Sequence, residues 1–155
     1  MSVTFYGNLT EHFSLEEYTI GNPSGSAIRI TKEVMQFYSI LEDFRTDLGY
    51  PMTVTSAFRT KAYNKSQGGI STSNHLRGCA CDWHTTFKIT ESIAILFIKI
   101  WKAKCEKHGA VGEAGLYTWG LHFGIQSPAQ IKANGGKFVN WDSRSGKQID
   151  NAFEI

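Results

Sequence analysis

The stretch Ser73-Asn74-His75-Leu76-Arg77-Gly78-Cys79-Ala80-Cys81-Asp82 constrains this chain more than any other. It sets a His and an Asp seven residues apart, with the small residues Gly78 and Ala80 between them. Small residues let a backbone turn tightly and pack closely, so a loop that runs into a strand here brings both side chains toward one point. A third donor, His122, lies forty residues beyond Asp82 in Trp119-Gly120-Leu121-His122-Phe123-Gly124-Ile125. Two imidazoles and one carboxylate form the donor set of a catalytic zinc site that keeps one position open for water. A fold that satisfies this pattern must carry His75, Asp82 and His122 to a common centre.

The rest of the chain supplies ordinary material for such a fold. At 155 residues it is long enough to bury a core as one domain, residues 1–155. A hydrophobic fraction of 41% with 19% charged residues reads as a globular protein. The net charge of +2 and the scattered basic residues do not favour nucleic acid as a partner. No apolar run reaches the length of a membrane span. The opening residues 1–6 lack a basic stretch followed by an apolar one, so no signal peptide is read, and synthesis in a cytoplasm is expected. Three cysteines, Cys79, Cys81 and Cys105, make an odd count that favours reduced thiols.

Periodicity predicts two long helices. Thr31 caps the first, which runs to about Leu48 with Val34, Phe37, Tyr38, Leu41, Phe44 and Leu48 facing the core. The second covers residues 90–108, buries Ile93, Phe97, Ile98, Trp101 and Cys105, and places Gly109 at a left-handed cap. Short helices are expected after Ser14, whose spacing to Glu17 is that of a capping box, over residues 60–66, and after Ser127-Pro128. Strands are predicted over residues 52–57, 79–83, 115–117, 121–125 and 138–141. The later strands lie close together in sequence, which favours an α+β fold with a small antiparallel sheet and helices mainly on one side.

Ser73, His75, Gly78, Ala80 and Asp82 match the pattern Ser-x-His-x-x-Gly-x-Ala-x-Asp, and in this the chain resembles the zinc D-alanyl-D-alanine carboxypeptidases, which share their fold with Hedgehog domains and many phage endolysins. The segment holding Arg59, Tyr63 and Asn64, the pair Gly68-Gly69, and Gly115-Leu116-Tyr117 followed by His122 extend the similarity over most of residues 9–125. The resemblance implies Zn2+ on His75, Asp82 and His122, Arg59 in the substrate cleft, and a peptidoglycan stem peptide as substrate. It implies either endopeptidase or carboxypeptidase action on the cell wall, in the style of an endolysin, by a monomer. Ser73 is a candidate for substrate binding or for orienting a ligand.

Relatives carry a carboxylate three residues before the last histidine or two after it, and here those positions hold Trp119 and Gly124. Glu113, nine residues before His122, is the nearest acid and the candidate proton acceptor. The missing acid also leaves open a second reading, a zinc-containing wall-binding or partner-binding module without strong catalysis. Cys79 and Cys81 share a strand face opposite to Asp82 and are expected to pack in the core. His84 shares the strand face of Asp82 and is expected to support the site or lie at the surface, and His12 and His108 are expected at the surface. Trp119 and Tyr117 line the cleft or join the core.

Overall fold

A computed structural model describes residues 7–155; residues 1–6, read above for a leader, lie outside the described part. The chain runs α1 (Leu15–Tyr18), α2 (Lys32–Leu48), β1 (Thr53–Ser56), α3 (Lys61–Ser66), a 3-10 turn (Asn74–Arg77), β2 (Ala80–His84), α4 (Glu91–Lys107), β3 (Gly112–Tyr117), β4 (Gly120–Ile125), α5 (Pro128–Ala133), β5 (Val139–Asp142) and β6 (Ile149–Asp150). The class is α+β, as expected. The strands form one sheet in the order β1-β2-β4-β3-β5-β6. Four pairings are antiparallel, and β3 with β5 is parallel. That parallel step makes the sheet mixed. The α5 crossover permits it, since a parallel partner needs a connection longer than a hairpin.

The long helices form where their caps and apolar stripes dictate. Thr31 Oγ1 accepts from the Val34 amide at 3.2 Å, and Gly49 (φ 71°) closes α2 in the left-handed region. Thr90 caps α4 in the same way. Ser14 and Glu17 complete the capping box of α1. The buried face of α2 holds Val34, Phe37, Tyr38, Ile40, Leu41 and Phe44, and that of α4 holds Ala94, Phe97, Ile98, Trp101 and Cys105.

These faces meet one side of the sheet in an aromatic core. Phe123 of β4 stacks on Trp101 with ring centres 4.7 Å apart and meets the edge of Phe44 at 5.0 Å. Trp83 of β2 packs on Phe97 and Phe123. Fully burying one such ring contributes about 1.5–3 kcal/mol. Alternation along the strands then decides the other face. Cys81 and Trp83 point into the core, so Asp82 points away from it; Leu121 and Phe123 do the same for His122.

Candidate metal centre

Asp82 and His122 are cross-strand partners in β2 and β4, which sets their side chains next to each other on the face away from the aromatic core. His75 reaches them from the 3-10 turn. Ser73 Oγ accepts from the His75 amide at 3.3 Å, and Gly78 (φ 70°) ends the turn where a residue with a Cβ would be strained and would strike Tyr18. The Arg59 amide donates to His75 O at 3.0 Å, tying the turn to the segment after β1. His75, Asp82 and His122 are all buried, and their ligand atoms lie within 4.8 Å of one another.

The hydrogen bonds select which atoms face the centre. His75 Nδ1 donates to Ala57 O at 2.6 Å, leaving Nε2 toward Asp82 Oδ1 at 3.1 Å. His122 Nδ1 lies 2.9 Å from the same Oδ1, and its Nε2 lies 3.3 Å from Glu113 Oε2. Arg59 Nη2 donates to the other oxygen, Asp82 Oδ2, at 3.0 Å. Two nitrogens and one carboxylate oxygen thus converge, and each donor residue is fixed from behind by a further group. That is the arrangement that orients metal ligands. The set fits a divalent metal with a position left for water or substrate.

The charges follow from burial and neighbours. Burial dominates at His75, whose pKa falls below the ordinary value and leaves the ring neutral. At Asp82 burial opposes ionisation, but His75 and His122 outweigh it and hold the carboxyl below the usual range. Burial also opposes the charged form of His122, yet hydrogen bonds to Asp82 and Glu113 raise its pKa to about 9.

The centre forms part of the lining of a cleft of about 660 Å³. Arg59, Ser73, Glu113, Tyr117 and Trp119 also line it, so each sequence-predicted site residue borders one space. Arg59 has no acid near it in sequence; the fold supplies Asp82, and Arg59 Nε donates to Ser56 Oγ at 2.8 Å as well. Tyr117 and Trp119 stack at 4.7 Å along one wall. Trp141 covers Gly115, where a Cβ would collide with its indole, and lies 5.3 Å from the His122 ring. Sequence reasoning missed Trp141, because only the parallel β3–β5 pairing brings it here. It also missed Asn74, although that residue sits inside the motif.

The remaining candidates go elsewhere. Cys79, Cys81 and Cys105 are buried free thiols, and burial pushes the Cys79 thiol up to about 11. His84 Nδ1 turns to Thr85 O, His12 pairs with Glu42, and His108 pairs with Asp43.

A family model described as Peptidase M15 matches residues 11–112. The matched span carries Arg59, Ser73, His75 and Asp82 and stops before Glu113 and His122; pairing of β2 with β4 brings in the third donor. Comparisons with curated proteins and with solved structures return no match.

Proposed function

Because this chain belongs to the peptidase M15 family, a family of metal-dependent peptidases, we propose that it is a zinc peptidase that cleaves peptidoglycan stem peptides, as an endopeptidase or a D-alanyl carboxypeptidase. The observation that carries the reading is the convergence of His75 Nε2, Asp82 Oδ1 and His122 Nδ1 at the wall of an open cleft. When bound, the metal supplies Lewis acidity toward a peptide carbonyl and lowers the pKa of water.

The chain's own residues do the rest. Arg59 takes Asp82 Oδ2, which keeps Oδ1 for the metal, and its guanidinium has further N–H groups to offer a substrate carbonyl. Ser73 Oγ lies at the cleft and is a hydrogen-bonding group for the peptide. Tyr63, Gln67, Gln130 and Trp141 add neutral polar and aromatic surface suited to a peptide backbone. No helix of the described residues is long and apolar enough to cross a membrane. In this reading the protein is a monomer of endolysin type, phage-encoded, made in the host cytoplasm and acting on the wall.

The test is release of new amino groups from purified peptidoglycan, with chelator and after zinc is restored. Release that chelator stops, zinc restores and His75→Ala abolishes is the expected result. No release by a zinc-loaded wild type would refute peptidase action on this substrate.

One observation favours the second reading, a zinc-containing binding module. Asp82 and Glu113 are the only carboxylates lining the cleft among the described residues, and both are already engaged. Wall binding by the zinc-loaded protein without amino-group release would support that alternative.

A further inference from the structure

His122 has two ring nitrogens, and the one turned from Asp82 meets Glu113. The Glu113 carboxylate is itself built into place. Its Oε1 accepts from Asn74 Nδ2. The Asn74 amide sits only one way round, because Arg77 Nη1 donates to its Oδ1 at 2.7 Å. Arg77 Nη1 also reaches Ile125 O at 3.2 Å, so it is anchored to the end of β4.

The space that Glu113 fills is set by a neighbour without a side chain. Glu113 and Gly124 are paired residues of β3 and β4. A Cβ at position 124 would stand 3.0 Å from both Glu113 Cγ and Oε1, and 3.1 Å from Cys79 O. From the core side, Trp101 Nε1 donates to Glu113 O at 3.1 Å and to Gly124 O at 3.3 Å. The backbone pair is therefore held from below while the carboxylate is held from above.

We propose that Glu113 is a positioning residue that sets the ring and tautomer of His122 for metal binding, fixed by Asn74 and Arg77 in the space left open by Gly124. A carboxylate accepting from Nε2–H leaves the Nδ1 lone pair for the metal. The inference rests on the metallopeptidase reading and assigns Glu113 a task different from proton transfer to water.

Zinc affinity decides it. Wild type, Glu113→Gln and Asn74→Ala are titrated with zinc against a chromophoric chelator. NMR follows the His122 Nε2–H proton of the zinc form. Wild type is expected to show that proton protected from exchange. Glu113→Gln is expected to lose it and to bind zinc about 10–100-fold more weakly. Asn74→Ala shifts both readouts in the same direction by less, and decides the matter alone if Glu113→Gln does not fold. Zinc affinity within about twofold of wild type in the folded variants overturns the inference, and all the more so if Glu113→Gln loses only turnover. A wild type that takes up no zinc overturns the metallopeptidase reading along with it.

Discussion

Loading of the metal site should expel one proton, and that proton belongs to His122. In the metal-free protein two of the three donors already have their ligand form: His75 is neutral and Asp82 is ionised. His122 is the exception. Burial disfavours its charged ring, but Asp82 Oδ1 at 2.9 Å and Glu113 Oε2 at 3.3 Å raise its pKa to about 9. Such a group is about 97% protonated at pH 7.5, and a metal at Nδ1 must displace the proton. Calorimetric zinc titrations in buffers of different ionisation enthalpy should therefore count about one proton released per zinc at pH 7.5. Apparent affinity should rise about tenfold per pH unit from pH 7 and level off above about 9. The metal-free protein should respond oppositely. A pKa raised from the ordinary 6.5 contributes stability that is fully present below 6.5 and lost as pH climbs through about 9, about 3 kcal/mol in all. Release of fewer than about 0.3 protons per zinc, or an affinity flat between pH 7 and 9, would refute this assignment.

Two more perturbations test the frame around the site. Asp43 is bonded by Lys104, Lys107 and His108, which hold its carboxyl below the usual range despite some burial. Asp43→Asn should lower stability by about 1–2 kcal/mol at pH 7, and because a depressed pKa loses its contribution as pH falls, urea melts of variant and wild type should converge in acid. Gly115→Ala puts a methyl group where the Trp141 indole lies, so it should displace that wall, raise KM for the peptide several-fold and leave zinc stoichiometry at one; an unchanged KM would remove Trp141 from substrate contact.

Local chemistry made much of this architecture legible. Thr31, Gly49, Thr90 and Gly109 mark the ends of the long helices, and the apolar stripes between them are the buried faces. The Ser73–Asp82 motif and His122 picked out three side chains that the fold brings within 4.8 Å of one another, because metal binding demands particular side chains at particular spacings. What stayed hidden depends on pairing. Glu113 lies outside the strand predicted over residues 115–117, yet β3 begins at Gly112, and its carboxylate reaches His122 in the space left by Gly124 opposite it. The tie between Arg59 and Asp82 joins the segment after β1 to β2 and leaves no trace in the linear sequence. The parallel β3–β5 contact, and Trp141 with it, required knowing where the chain goes after α5.

Strand β5 serves two parts of the site at once. The donor candidates stand on β2, β4 and the turn before β2, whereas Trp141 arrives on β5, set between β3 and β6 after a crossover. Substrate wall and donor cluster are consequently coupled through one strand: β5 carries Trp141 against the His122 ring and pairs with β3 at Glu113, so rebuilding it would alter the cleft and the support of His122 together.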